Sequence, residues 1–392
     1  LQVNNNVISD LTPLTNLHLW NLLAEHNHIS DLTPLAGHED MRRLRLGYND
    51  LTSLAGCEAL LRLEELTAND NAITDINGIT NCTVLKSVQL SYNDISDISL
   101  LGKNGEDLEK LEVSDNALTG LNGLESCVKL QALNIGRNQV KSLAPLASMP
   151  ELTVLMAAEN DISDLTPLQG MGRLAYLDLG NNQIIDITPL GTTTGLAYLD
   201  LSRNQIRDIA PLANLNDEYA ITKTVVNVSA AILYLEHNQI TDISQLPQAL
   251  TYWKISLYGN PIQDLSRLAE LKYETSTMAG VISNHVGVYL PYRDGLDYTP
   301  MAAAGVQHIY VTGAPLDRRI PVEQAAKPSV WGGGVEFYDE ADFDALLAAD
   351  KFTGIESAGP ENAGDSAPGD PAGDGTGDRP AGGETEGGDS VG

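Results

Sequence analysis

The sequence predicts an α/β solenoid, in which repeated coils stack side by side and their short strands form one parallel β-sheet on the concave side. Three observations predict it. A motif centred on an Asn recurs twelve times, mostly at intervals of 22 residues, with apolar residues alternating before each Asn and aliphatic residues at fixed spacing after it. A fixed period of this size indicates units that bury their apolar side only against their neighbours.

Each repeat is defined by its Asn. The twelve are Asn6, Asn27, Asn49, Asn71, Asn93, Asn116, Asn138, Asn160, Asn182, Asn204, Asn238 and Asn260. One interval is 21 residues, one is 23, and a single interval of 34 residues separates Asn204 from Asn238. The long interval predicts an insertion at 213–232, which is either a loop beside the binding surface or a change of length without functional effect.

The residues around the Asn predict the path of each coil. Apolar residues five and three positions before it, such as Leu177 and Leu179, predict a short strand with one buried face. Aliphatic residues two, five and eight positions after it, as in Ile162, Leu165 and Leu168, turn the chain back. The expected result is a leucine-rich repeat horseshoe, with tight turns or short 3₁₀ segments on the convex side.

The polar positions of the repeat have structural explanations. An inward Asn amide can satisfy both N–H and C=O groups of the turning backbone, each of which costs about 1–3 kcal/mol when buried unpaired. The Asp four residues later is expected to accept backbone N–H bonds in the turn, as at Asp31, Asp75, Asp164, Asp186, Asp208 and Asp242. A row of carboxylates can also suggest a metal site, but several copies carry Ser or Gly there, so we predict no metal and no cofactor.

The segment LAYLDLGNNQIIDITPL (174–190) shows the whole pattern, L-x-x-L-x-L-x-x-N-x-I-x-D-[IL]-x-P-L. This pattern closely resembles the internalin-type bacterial leucine-rich repeats, over residues 1–270. The resemblance implies a secreted or wall-attached protein that binds a partner protein through its concave face. Three features of the family are not seen in this sequence: a helical N-terminal cap, a wall-sorting signal and an immunoglobulin-like module at 273–355.

Composition limits the partners. A net charge of −30 opposes binding to nucleic acid phosphates and anionic lipid, and no apolar run is long enough for a membrane helix. We therefore expect a monomer that binds a basic or neutral protein surface. The three cysteines, Cys57, Cys82 and Cys127, occupy inward apolar positions, which predicts buried free thiols.

The binding surface is predicted from positions six, four, two and one before each Asn, whose side chains leave the concave sheet outward. Near the beginning these positions hold Arg43, Arg45 and Tyr48. Tyr and Arg are the residues most often found at interface hot spots, and a second cluster places them on adjacent strands. The predicted partner-binding residues are Tyr176, Asp178, Tyr198, Asp200, Arg203, Tyr234, Glu236, His237 and Tyr258. The alternative is that Tyr176 and Tyr198 are a structural cross-strand pair.

The chain divides into three parts. Residues 1–272 form the solenoid. Residues 273–355 form a mixed α/β cap, with strands at 309–312 and 335–338 and two helices, that covers the last coil. Residues 356–392 are an acidic, Gly- and Pro-rich linker without aromatic residues, whose composition predicts disorder.

Two other functions are compatible with the sequence. The 22-residue period is shared with intracellular scaffolds that resemble phosphatase-regulatory repeat proteins, which would place the chain in the cytoplasm. The second function is that of an enzyme, with a catalytic site formed by Ser283, His285, Asp294 and His308. The spacing of these four residues matches no catalytic triad or zinc motif. We therefore predict a non-enzymatic binding module at a bacterial surface or secreted from the cell.

Overall fold

The computed structural model describes residues 1–215, 231–273, 287–291, 296–297, 308–312 and 335–338. Within these ranges, a single parallel sheet of 15 strands runs in chain order, with one short strand, β12, beside β11 and off this path. The strands are β1 (Asn21–Leu23), β2 (Arg43–Arg45), β3 (Glu65–Thr67), β4 (Ser87–Gln89), β5 (Lys110–Glu112), β6 (Ala132–Asn134), β7 (Val154–Met156), β8 (Tyr176–Asp178), β9 (Tyr198–Asp200), β10 (Ala231–Tyr234), β11 (Thr251–Ser256), β12 (Lys272–Tyr273), β13 (Gly287–Pro291), β14 (His308–Thr312) and β15 (Val335–Tyr338). The predicted leucine-rich repeat fold is confirmed.

The strand register follows the repeat. Leu22 pairs with Leu44, and Leu44 pairs with Leu66, so the same inward position of each coil lies beside its equivalent in the next. All three side chains are fully buried. Since each coil adds one such layer, the aliphatic core is continuous from coil to coil.

Short helical segments close the convex side. The 3₁₀ segments are Thr12–Leu14, Thr33–Leu35, Asn77–Ile79, Gly105–Asp107, Leu124–Ser126, Ala144–Ser148, Thr166–Leu168, Thr188–Thr192, Ala210–Asn214 and Ser266–Glu270, and one α-helical turn spans Leu101–Asn104. In the coils that contain the sequence TPL or APL, Pro occupies the first turn of the segment, where its fixed φ suits a helix and its missing N–H has no partner to lose.

From Asn27 onward the Asn of each coil points inward, as predicted, whereas Asn6 of the first coil is exposed. The Asn49 side-chain amide donates to the carbonyls of Ala24, Leu46 and Gly47 at 3.0, 3.0 and 3.2 Å. Its oxygen accepts the N–H of Ile29 at 2.9 Å. Because two of these partners belong to the preceding coil, the amide joins neighbouring coils as well as closing its own turn.

The Asp of the turn also has the predicted role. Asp186 Oδ1 accepts the backbone N–H of Thr188 at 2.8 Å and its hydroxyl at 2.6 Å. The hydrogen bond from the Thr188 hydroxyl and, to a smaller extent, that from the Thr188 N–H lower the pKa of the exposed Asp186 carboxyl. The same turn recurs at Asp31, Asp75, Asp164, Asp208 and Asp242.

The three cysteines are buried and free, as predicted. Burial raises the pKa of the Cys82 thiol to about 12 and that of the Cys127 thiol to about 11. Burial also raises the pKa of Cys57. The thiols are therefore protonated at neutral pH, which keeps them unreactive toward alkylating reagents.

The sheet continues beyond residue 272. The two strands predicted there are present as β14 and β15, and they add to the same parallel sheet, with Ile309 paired to Val288 on one side and Val335 on the other. The predicted helices of this region, most of the insertion and the acidic tail lie outside the described residues. The division at residue 272 thus stays a prediction.

Candidate protein-binding face

The residue immediately before each Asn lies at the edge of the concave sheet and has a left-handed backbone. Its φ lies between 52° and 57° in eleven coils, although none of these residues is glycine. In the last coil the position is held by Gly259, with φ 68°. This conformation turns the chain out of the strand and directs a row of side chains, one per coil, toward solvent.

The concave surface differs between β2–β6 and β9–β10. In β2–β6, the middle residue of each strand is buried and the two flanking residues are half-buried, so their side chains reach solvent. In β9 and β10, every residue is buried. We call the concave side of β1–β6 the open strip and the concave side of β8–β10 the closed strip.

The predicted binding cluster lies in and beside the closed strip, and this corrects the expectation that its side chains are exposed. Tyr176 and Tyr198 are each 2% exposed, and the remaining buried members are Asp200, Tyr234, Glu236 and Tyr258. Asp178 and His237 are half-buried, and Arg203 is exposed. Six of the nine residues are thus no more than 4% exposed in this structure.

Ring stacking accounts for part of this burial. The rings of Tyr176 and Tyr198 are parallel, with centroids 4.0 Å apart, and Tyr198 meets Tyr234 edge to face at 5.8 Å. Burial raises the pKa of Tyr176 and, more strongly, that of Tyr198, since a phenolate there would lose its hydration. The alternative of a structural cross-strand pair therefore describes Tyr176 and Tyr198 better than an exposed hot spot.

The acids beside these rings make local contacts. Asp178 Oδ1 accepts the N–H of Gly180 at 3.0 Å, and Asp200 Oδ1 accepts the N–H of Ser202 at 2.9 Å. At the end of the cluster, the rings of His237 and Tyr258 meet edge to face at 4.7 Å. Hydrogen bonds and ring contacts of this kind hold the closed strip together.

Exposed aromatic side chains lie beside the strands of the open strip. Trp20 is 66% exposed, Tyr48 51% and Tyr92 49%. His26 is also exposed, and its ring stacks on that of Tyr48 with centroids 4.2 Å apart and an angle of 9°. Of these four residues only Tyr48 was predicted from sequence, because the position in the repeat shows which side of the sheet a residue occupies and not how much of the residue is covered.

Ion pairs run along the sheet between equivalent positions of adjacent coils. Glu64 lies 3.2 Å from both Arg42 and Lys86. Arg137 lies 3.2 Å from both Asp115 and Glu159, and the two carboxylates raise its pKa. Because the basic side chains of these rows are paired with acids, the acidic excess of the chain dominates the electrostatic potential around it.

The described part of the chain offers little to other kinds of ligand. Among its residues, no group of three or more His, Cys, Asp or Glu is placed to hold a metal ion. No helix within the same ranges has the length and apolar character needed to cross a bilayer. Of the residues considered for catalysis, only the backbone of His308 is described, in β14, and Ser283, His285 and Asp294 lie outside.

Comparisons with known proteins agree with the repeat architecture. A family model for leucine-rich repeats, in two copies, matches residues 150–192 and 172–214. A search of curated protein sequences found no match.

Among solved structures, an internalin from Listeria monocytogenes is 26% identical, with a TM-score of 0.63 over 77% of this chain and 83% of that chain. The functional domain of a second Listeria monocytogenes protein, InlJ, which includes a cysteine ladder, is 20% identical, with a TM-score of 0.51 over 74% of this chain and 63% of that chain. A plant peptide hormone receptor in complex with RGF2 is 16% identical, with a TM-score of 0.55 over 84% of this chain and 66% of that chain. The last two share the fold alone.

Proposed function

We propose that this chain, a leucine-rich repeat protein of the internalin type, binds a partner protein through the open strip of its concave face. The observation that carries the proposal is the contrast between the open strip and the closed strip. The strands of the open strip present half-buried polar side chains flanked by exposed aromatic residues, whereas every strand residue of the closed strip except Asp178 is buried.

The open strip has the size and composition of an interface. Its six strands, spaced about 4.8 Å apart, extend over roughly 25 Å, and aromatic residues beside polar ones are typical of binding surfaces. The net charge of −30 favours a basic partner. The similarity to a Listeria internalin supports a role as a secreted or surface protein of a bacterium.

Site-directed blocking tests the proposal. Thr67→Cys places a thiol on the concave side of β3, and Ser126→Cys places one in a convex 3₁₀ segment. The native thiols are buried and protonated, so a polyethylene glycol maleimide reacts only at the introduced site. Protein domains selected from a displayed library of extracellular domains, using the unmodified chain as bait, are then retested against each labelled variant.

The proposal predicts that labelling at residue 67 weakens binding of the selected domains at least about tenfold, since a bulky polymer blocks a central part of the interface. Labelling at residue 126 should leave binding unchanged. Binding lost only on the convex label would contradict the proposal, and both variants without label serve as controls for folding.

A further inference from the structure

Three residues at the edge of the open strip form a gap between two aromatic rings, which we call the notch. Tyr48, Asp70 and Tyr92 occupy the same position in three successive coils, with φ of 57°, 54° and 57°. The two tyrosines are about half exposed. Because the middle coil carries a short side chain where its neighbours carry rings, space is left between them.

The spacing of the coils sets the width of the notch. Backbone positions two coils apart are separated by roughly 10 Å, twice the distance between strands. A flat cation midway between two such positions would lie about 5 Å from each, within the roughly 6 Å over which a cation interacts with an aromatic ring face. This spacing is compatible with one planar cation between the two positions.

Contacts within the chain position Tyr48, at one side of the notch, and Asp70, at its base. The His26 ring stacks against Tyr48 and limits its motion. Burial raises the pKa of the Asp70 carboxyl, and repulsion by Asp115 acts in the same direction, whereas a hydrogen bond donated by the Tyr48 hydroxyl and attraction to His26 lower it. A guanidinium beside this carboxyl would add to the attraction that His26 supplies.

The backbone at these positions adds a second argument. The left-handed conformation is uncommon for residues other than Gly, Asn and Asp, and it is least favourable for bulky side chains. Gly259 shows that glycine serves at the equivalent position of the last coil. Tyr48 and Tyr92 are about half exposed, so packing in the core does not account for two large aromatic side chains at this position.

We propose that the notch receives an arginine side chain from a basic partner protein, with the rings of Tyr48 and Tyr92 on either side of the guanidinium and the Asp70 carboxylate beneath it. This inference rests on the proposed function and specifies its partner. Arginine fits better than lysine because its guanidinium is planar, stacks on aromatic rings and binds a carboxylate through two hydrogen bonds. The net charge of −30 complements such a partner.

Fluorescence anisotropy with a labelled tetra-arginine peptide tests the notch, with tetra-lysine and the uncharged tetra-citrulline as matched probes. Tyr48→Leu combined with Tyr92→Leu removes both rings without changing the net charge, so nonspecific attraction to the acidic chain is kept. The affinity for tetra-arginine should fall about five- to tenfold at physiological ionic strength, and the affinity for tetra-lysine should fall less.

Two further pairs of variants separate the notch from general electrostatics. Asp70→Asn should weaken tetra-arginine binding about fivefold, whereas Asp94→Asn, which removes an equal charge at an exposed position in the same coil as Tyr92, should change it less than about twofold. Tyr92→Phe should retain the affinity that Tyr92→Leu loses. Melting temperatures equal to that of the unaltered chain establish that the variants are folded.

Equal binding of tetra-arginine to the unaltered chain and the Tyr48→Leu, Tyr92→Leu variant would overturn the inference, as would equal losses for Asp70→Asn and Asp94→Asn. Neither result bears on the labelling experiment with Thr67→Cys, which tests the concave face as a whole. Conversely, convex binding of the selected domains would remove the proposed function while leaving cation binding at the notch intact.

Discussion

At the scale of single residues, the Asn of each coil from Asn27 onward satisfies several backbone groups at once. The Asn160 amide donates to the carbonyls of Ile135, Ala157 and Ala158 at 3.0, 3.2 and 3.1 Å, and its oxygen accepts the Val140 N–H at 2.9 Å. A residue that is almost fully buried thus replaces the water that these groups would otherwise bind. The adjacent left-handed residue makes this possible, because it turns the backbone carbonyls toward the amide.

Replacing Asn160 by Ala should lower the free energy of unfolding by about 3 kcal/mol, because several buried backbone groups lose their partners together. Asn122→Ala, at an exposed convex position, should change it by less than about 0.5 kcal/mol. Chemical denaturation followed by circular dichroism measures both. A loss below about 1 kcal/mol for Asn160→Ala would contradict the role of the amide.

The Asn positions, the inward leucines and the turn aspartates could all be predicted from sequence, because each depends on contacts that recur at the repeat period. The burial of the Tyr176 and Tyr198 pair could not be predicted. The position of a residue in the repeat shows which side of the sheet its side chain occupies, but not which neighbouring side chains cover it. The notch was missed for a different reason. Nothing in the residue type of Tyr92 signals a left-handed backbone, which tyrosine rarely adopts.

At the scale of elements, the convex segments pack closely from coil to coil, and small residues permit this. A Cβ added at Gly78 would lie 1.7 Å from the Leu54 carbonyl oxygen of the preceding coil, a backbone atom that cannot rotate away. Gly120, which occupies the position of the turn Asp in its own coil, has no heavy atom within 4 Å of such a Cβ. The two glycines thus differ in structural importance.

Gly78→Ala should therefore lower the melting temperature by several degrees, because the added methyl group forces two coils apart. Gly120→Ala should leave it unchanged or raise it slightly, since alanine restricts the unfolded chain. Differential scanning calorimetry of the two variants provides the comparison. Equal melting temperatures would show that the coils at Gly78 are more loosely packed than the structure indicates.

His38 gives the first coils a dependence on pH. Its side chain is buried, and its Nδ1 accepts the Leu19 N–H at 3.3 Å, a bond that the protonated ring cannot make. Burial lowers the pKa of His38 below its ordinary value of 6.5, with repulsion from His18 acting in the same direction and a backbone hydrogen bond to Leu14 opposing it. The folded state therefore binds a proton less readily than the unfolded state.

The stability contributed by neutral His38 is complete above the unfolded pKa and falls as the pH drops below about 6.5. Lowering the pH from 7 to 5 should thus destabilise the first coils, measured as faster amide hydrogen exchange in β1 and β2. His38→Gln should reduce this pH dependence, whereas His18→Gln, at an exposed position, should retain most of it. An unaltered pH dependence in His38→Gln would assign the effect to other groups.

At the scale of the whole molecule, the acidic charge and the uneven concave face act together. The tail from residue 356 carries nine acidic residues and one Arg, so most of the net charge of −30 belongs to the rest of the chain. This charge would speed encounter with a basic partner without determining where it docks. Docking is left to the open strip, where exposed rings and half-buried polar groups are accessible.

The most direct test of the difference between the open strip and the closed strip is the nitration of tyrosines by tetranitromethane. Mass spectrometry of peptides measures the reaction at each residue. The reagent attacks accessible tyrosines that can ionise, so Tyr48 and Tyr92 should react readily. Tyr176, Tyr198 and Tyr234 should be protected in the native chain and react once it is unfolded. Nitration of Tyr176 and Tyr198 as fast as that of Tyr48 would contradict the account, because the binding surface would then extend across both halves of the sheet.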